Sequence, residues 1–300
     1  MRHLFPYIFS HPPQKVDYLT QRDQDKIKSQ WRVLDGWKDV DLTQPLLLIS
    51  PTDEGVMLNG GRWGSRYAPS AIMNQMKNFH IADLSRKVYW QQLHNWQEPG
   101  VTLAERPFFH LGGGHDTLYD VFSPFLAKYK DEDFLLINID AHTDTRKDEV
   151  PHSGNPIARL AKEHVSHLKI WQIGIHPLAN SPETLKVVGS DQQRVTYFSQ
   201  HKNIALEFDR LQQEGWWSEK TRVFLSIDFD AFTPEYAQGV SAPNGRGLPW
   251  EFVYSFLKLL QERNAKFAGI GIYEYNPLYD SVSAVGAKAI AQFILSCQYW

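Results

Sequence analysis

Seven short, nearly continuous apolar runs set the narrowest limit on what this chain can become: Leu46–Ile49, Phe108–Leu111, Phe134–Ile139, Ile170–Ile175, Val195–Phe198, Val223–Ile227 and Phe267–Ile272. A strand with one wet face alternates, so runs without alternation predict strands covered on both faces, as in a parallel sheet flanked by helices. Amphipathic stretches lie between the runs. One follows Pro156, with Asn155 as N-cap and proline at the first helical position. Another, Trp250–Arg263, follows Pro249 and spaces Phe252, Phe256 and Leu259/Leu260 along one face. Both are expected as crossover helices. A last helix, Ser281–Gln298, aligns Val282, Val285, Ala289, Ile290, Phe293, Ile294 and Cys297, so the thiol is expected to face the core. Segments 1–45 and 80–106 lack strong strands, are rich in Trp and Gln, and are expected to wrap the sheet as helices and loops. No linker, repeat or low-complexity tract divides the chain, so residues 1–300 are expected as one α/β domain.

Composition removes several function classes. Lys+Arg 31 against Asp+Glu 34 gives a formal charge of −3, which argues against a generic electrostatic binder of nucleic acid or membrane. The N-terminal apolar run is interrupted by Pro6 and falls short of the roughly 7–15 residues of an export signal. No run reaches the ~18–20 residues of a membrane span, so a soluble, cytoplasmic protein is expected. A single cysteine, Cys297, cannot close an intrachain disulfide or build a Cys-rich zinc or iron–sulfur site. Metal chemistry must therefore use His and carboxylates.

Such residues stand where three of the runs end. Phe108–Leu111 leads into Gly112-Gly113-Gly114-His115-Asp116, Phe134–Ile139 into Asp140-Ala141-His142-Thr143-Asp144, and Val223–Ile227 into Asp228-Phe229-Asp230. Open α/β folds bind ligands at the carboxyl edge of the sheet. In an extended tip residues i and i+2 project the same way, so Asp140, His142 and Asp144 are expected to face one point, as are Asp228 and Asp230. Four unpaired, half-buried carboxylates would be driven to protonate; cations resolve the conflict. An oxygen-rich set with a minority of imidazole suits Mn²⁺, with Zn²⁺, Fe²⁺, Co²⁺ and Ni²⁺ left open. One ion with six protein ligands would be saturated, whereas two divalent ions balance the four carboxylates if some of them bridge, with a shared water or hydroxide completing the pair. Taken singly, GGGH is more often a tight turn and SxDxD can be a pair of caps. All three motifs on strand ends, in this order, leave a purely structural explanation little room.

These motifs, with Glu274-Tyr275-Asn276-Pro277 after the final run, resemble the ureohydrolase family of arginases, agmatinases and formimidoylglutamases across most of residues 46–295. The resemblance implies an arginase-like three-layer α/β/α sandwich with a mainly parallel eight-stranded sheet and a cofactor of two Mn²⁺ per chain. It implies that His115, Asp140, Asp144 and Asp228 hold one ion and His142, Asp140, Asp228 and Asp230 the other. Glu274 falls at the family's substrate-binding glutamate, where it would grip a cationic guanidinium or amidinium and stabilise the tetrahedral intermediate. Asp144 would move the proton to the leaving amine.

Within the family, Asp140-Ala141-His142-Thr143-Asp144-Thr145-Arg146 followed by Ser153-Gly154-Asn155-Pro156 resembles formimidoylglutamase, as do Gly112-Gly113-Gly114-His115 and the stretch Asp53-Glu54-Gly55-Val56 with Asn59-Gly60-Gly61-Arg62. Ile157 stands where arginases carry a proton-transferring histidine. Asp116 departs from the glutamate usual in formimidoylglutamases. An arginine near the metals would repel agmatine's cationic tail and could pair two-pronged with a carboxylate. Arg146 is therefore expected to bind the substrate's acid end, with Arg62, Arg66 and Arg159 as weaker candidates and Ser153 and Asn155 as hydrogen-bond donors. The expected activity is hydrolysis of N-formimino-L-glutamate to L-glutamate and formamide in histidine breakdown. A guanidino-acid ureohydrolase releasing urea, a mononuclear zinc deacetylase of the same fold and a catalytically inactive metal-binding regulatory homologue are the alternatives. The expected partner is a small-molecule amidine or guanidine; assembly into a homo-oligomer stays open.

Overall fold

The computed structural model describes residues 31–33, 46–80, 88–93 and 107–297. Nine described strands form one sheet: β1 (Trp31–Val33), β2 (Leu46–Ser50), β3 (Val88–Gln92), β4 (Phe108–Gly112), β5 (Phe134–Ile139), β6 (Leu168–Ile175), β7 (Gln193–Tyr197), β8 (Arg222–Asp228) and β9 (Lys266–Tyr273). Their order is β1-β3-β2-β4-β9-β8-β5-β6-β7 and every pairing is parallel. All seven apolar runs form strands, except that Phe198 at the end of its run opens a short 3-10 helix. The described strands number nine where eight were expected, and among them none is antiparallel, in keeping with the expected mainly parallel sheet. β1 and β3 lie in segments expected to hold only helices and loops; most of the rest of 1–45 and 80–106 falls outside the described residues.

Both faces of the sheet are covered, which is why the runs do not alternate. Successive side chains of a strand point to opposite faces. Leu135, Ile137 and Ile139 of β5 join one core with α2 (Ala68–Met76), α5 (Ile204–Gln213), α6 (Glu251–Glu262) and α7 (Val285–Cys297). Phe134 and Leu136 join another with α3 (Thr117–Lys128) and α4 (Pro156–Glu163). Each fully buried Leu, Ile or Phe contributes roughly 1.5–3 kcal/mol, so these two layers hold the sheet between them. Among the described residues no helix is long and apolar enough to cross a membrane.

The start of the last helix differs from expectation. α7 begins at Val285 because Ala284 takes a left-handed φ of 52° after a turn closed by its N–H on Ser281 O. Val282, which fits the helical period, is therefore fully exposed. Cys297 packs against the core, and burial pushes its thiol up to about 12.

The strand order places the site. From β4 the sheet extends toward β1, and from β5 it extends the other way toward β7; β8 and β9 fill the gap between them. The carboxyl ends of β4, β9, β8 and β5 are consequently neighbours at the point where the order reverses, where such sheets open a crevice.

Candidate metal centre

Four strand ends, one more than the three motif-bearing runs, meet at a cavity of about 430 Å³. His115 comes from the turn after β4, Asp140, His142 and Asp144 from the loop after β5, Asp228 and Asp230 from the end of β8, and Glu274 from the residue after β9. His115 Nδ1 lies 2.8 Å from Asp144 Oδ2, 3.1 Å from Asp228 Oδ2 and 3.3 Å from Asp140 Oδ2. His142 Nδ1 lies 3.0 Å from Asp230 Oδ2 and 3.6 Å from Asp140 Oδ1. All six expected metal-binding side chains therefore converge, in two groups that share Asp140. Asp228 belongs to the first group, and its Oδ1 accepts the N–H of Asp230 at 2.9 Å. The double membership expected of Asp228 is not part of this grouping.

The loop after β5 is not the extended tip that i, i+2 alternation assumes. Asp144 has φ 50°, a left-handed conformation that costs a non-glycine residue about 1–3 kcal/mol unless its surroundings hold it. Here its carbonyl accepts the N–H groups of Ile157 and Ala158 at the start of α4, at 3.2 and 3.3 Å. That bend turns the Asp144 carboxylate to His115, while His142 faces Asp230. Asn180, after β6, braces the loop by accepting the Thr143 N–H at 2.8 Å and donating to Ala141 O at 2.8 Å.

Beneath the cluster runs a buried polar row that the apolar runs conceal. Gln172, Asn138, Ser226, Gly271 and His110 are register neighbours on β6, β5, β8, β9 and β4. Asn138 Nδ2 donates to Gln172 Oε1 at 2.9 Å and to Asp140 Oδ2 at 3.2 Å. His115 Nε2 meets Ser226 Oγ at 2.8 Å. At Gly271 a Cβ would collide with the hydroxyl of Tyr273, whose ring stacks on His115 at 4.7 Å and whose Oη meets His110 Nδ1 at 3.0 Å.

The donor set calls for cations. With Nε2–H engaged on Ser226, the neutral His115 presents a bare Nδ1 lone pair to three carboxylate oxygens, and Nδ1 has no hydrogen-bond partner of adequate geometry. Burial works against charge on His115, yet the three aspartates hold its pKa well above the usual imidazole range. Asp230, with Asp140, pushes His142 up to about 12 against its burial. Burial together with Asp230 and Asp140 pushes Asp228 well above the carboxylate range, and burial with Asp140 raises Asp144 to about 6. Acids driven to take up protons beside imidazoles driven to keep them are a charge conflict that divalent ions relieve.

Glu274 also has a left-handed φ, 62°. Its N–H donates to Gly113 O at 2.9 Å, and its Oε1 accepts the His115 N–H at 2.9 Å. It is buried and lines the cavity. Arg146 and Ser153 also line it; Asn155 does not. The Asn155 amide donates to Val150 O and Asp148 O and accepts from His152 N–H, so it shapes the preceding loop and leaves α4 without a side-chain cap. The other arginines are engaged elsewhere: Arg62 over Tyr279, Arg66 on Asp53, and Arg159 at 3.4 Å over Tyr119. Asp116 lines a separate cavity with Glu54 and Asp120.

Against known proteins, the model of the arginase family matches residues 47–298. A formimidoylglutamase of Chromobacterium violaceum is 28% identical over 264 residues, covering 81% of this chain and 84% of that one. The crystal structure of formimidoylglutamase from Bacillus subtilis superposes with a TM-score of 0.78 at 20% identity, covering 100% of this chain and 98% of that one. A Trypanosoma cruzi formiminoglutamase structure with Mn²⁺ gives 0.72 at 20% identity, covering 91% and 98%.

Proposed function

The chain belongs to the arginase family, and from that footing we propose that it hydrolyses a C–N bond in a linear amidine bearing a carboxylate, converting N-formimino-L-glutamate and water to L-glutamate and formamide. The observation that carries this reading is the pairing, in one cavity, of a buried acid beside the His/Asp cluster, Glu274, with a cation, Arg146. Curated relatives named formimidoylglutamase support it.

Two divalent ions, which we take to be manganese, would be held by His115, Asp140, Asp144 and Asp228 and by His142, Asp140, Asp228 and Asp230; when bound they supply Lewis acidity and activate water near neutral pH. The remaining work falls to the chain. Glu274 accepts hydrogen bonds from the amidinium and holds its carbon over the cluster. Asp144 takes the proton released as water adds to that carbon and gives it to the departing glutamate nitrogen as the C–N bond breaks. Arg146 pairs with a substrate carboxylate, and Ser153 adds a hydroxyl at the same wall; Asn155 acts only through the loop it shapes. Residues 1–300 act as one domain, in the cytoplasm, in histidine breakdown.

Mn-loaded protein should release formamide from N-formimino-L-glutamate and no urea from arginine, agmatine or 4-guanidinobutyrate. Urea from a guanidino acid with no formamide from the amidine would replace this substrate with a guanidino one. Arg146→Ala should raise KM for the acidic substrate about 10- to 100-fold, the range of a hydrogen-bonded charge pair, with a smaller change in kcat.

A further inference from the structure

Arg146 is exposed, and a solvent-exposed arginine has many rotamers open to it. In this chain it is tied at both ends. Its backbone N–H donates to Gly154 O at 3.0 Å, and its Nη1 donates to Asn59 Oδ1 at 2.8 Å. A guanidinium only donates, so the atom of Asn59 that faces it must be the oxygen. The other end of the same amide donates to Ser153 Oγ at 3.1 Å. Asn59 thus joins the end of α1 (Glu54–Leu58) to the loop between β5 and α4, beside the bond from Ser153 N–H to Gly55 O at 3.1 Å.

Gly154 completes the cradle. A Cβ there would lie 2.9 Å from Asn59 Nδ2, 3.1 Å from Asn59 Oδ1 and 3.2 Å from Arg146 Cδ, so both side chains lie directly on its backbone. Among the described residues Arg146 is the one Lys or Arg lining the cavity, and no carboxylate lies within ion-pairing distance of it. One of its five N–H donors is held by Asn59. The rest are free for a carboxylate.

We propose that Asn59 is a specificity-determining positioning residue: with Gly154 as its floor, it fixes the Arg146 guanidinium so that the cavity selects amidines carrying a carboxylate. The inference rests on the assignment of the substrate's acid end to Arg146. Its physical basis is preorganisation: a side chain ordered in the free protein loses less freedom when ligand arrives.

The test is a double-mutant cycle on a selectivity ratio. The ratio is kcat/KM for whichever acid is turned over, N-formimino-L-glutamate or 4-guanidinobutyrate, divided by that for its N-alkyl counterpart lacking carboxylates. Asn59→Ala should lower the ratio about fivefold, the order of one ordinary hydrogen bond, and should have no effect on it in an Arg146→Ala background. Asn59→Asp, close in shape, should lower it further by pairing with the guanidinium, and added salt should recover part of that loss; this variant carries the cycle if Asn59→Ala does not fold. An equal effect of Asn59→Ala with and without Arg146, or equal losses on both substrates, would overturn the proposal. If Arg146→Ala lowers the ratio and neither Asn59 variant does, this inference alone falls. If Arg146→Ala leaves the ratio unchanged, the assignment of Arg146 falls and the inference with it.

Discussion

The six side chains of the cluster, four of which line the floor of the cavity, stand at or just beyond the ends of β4, β5 and β8, whereas Arg146, Asn59 and Ser153 at its rim stand on two loops tied to each other by side-chain hydrogen bonds. At the floor, sheet register and the polar row beneath it set His115, Asp140 and Asp228, and the bent loop held by α4 and Asn180 sets His142 and Asp144. At the rim, position depends on single amide and hydroxyl contacts between residues 87 and 94 apart in the chain. The difference teaches that this fold can change its choice of substrate through Asn59 and its contacts while the strand ends hold the reaction chemistry, the two meeting only in the loop between β5 and α4 that carries both Asp144 and Arg146.

Asp228→Ala strikes the floor hardest. It removes a ligand that both metal-binding sets are proposed to share, and activity should fall at least about 10³-fold, toward the level that chelation of the wild type produces. Metal analysis of the purified variant should find less than the wild-type content, and full activity there would sink the metal assignment. Ser226→Ala leaves every proposed ligand in place and withdraws only the partner of His115 Nε2. Metal affinity should drop about 10- to 100-fold, as for other residues that orient a ligating histidine, and titration calorimetry would measure it. If substrate KM rises and metal affinity does not change, floor and rim are not separable in the way described.

The smallest effect is expected at the anchor of the rim. Asp53 is fully buried, accepts Gly64 N–H at 2.7 Å and pairs with the half-exposed Arg66. Burial alone would raise its pKa, but the hydrogen bonds from Arg66 and Gly64 and the guanidinium charge outweigh that and hold it below the usual carboxylate value. A depressed folded pKa means stability that is present above the unfolded value near 4 and is lost as pH falls through the folded one. Asp53→Asn should therefore flatten the loss of melting temperature between about pH 5 and pH 3. An unchanged acid limb would show that the pair contributes nothing there.

What could be read from the sequence follows the same division. The apolar runs and the charged residues just past them are local patterns, so seven of the nine described strands and the six convergent side chains were legible in the sequence, whereas β1 and β3 were not. Asn138, Ser226 and His110 each interrupt an apolar run once, and a lone polar residue in such a run carries no periodic signal; only pairing across β4, β9, β8 and β5 gives them meaning. Asn59 was visible in the Asn59-Gly60-Gly61-Arg62 stretch, but its partners lie far along the chain. Asn155 and Val282 misled for the opposite reason: each fits a local rule, helix cap or helix period, that a neighbouring turn overrides.

The strand order also sets a timetable. β8 and β9, the last strands of the chain, enter the middle of the sheet, and until they do β4 and β5 present bare hydrogen-bonding edges to solvent. A chain emerging N-terminus first holds its two half-sheets apart until residues 222–273 have been made. By that topology β8 and β9 bring His115 and Asp140 together, so any metal held by the cluster would be captured late in assembly, and a chain truncated before β9 would lack both Glu274 and the strand that joins the two halves.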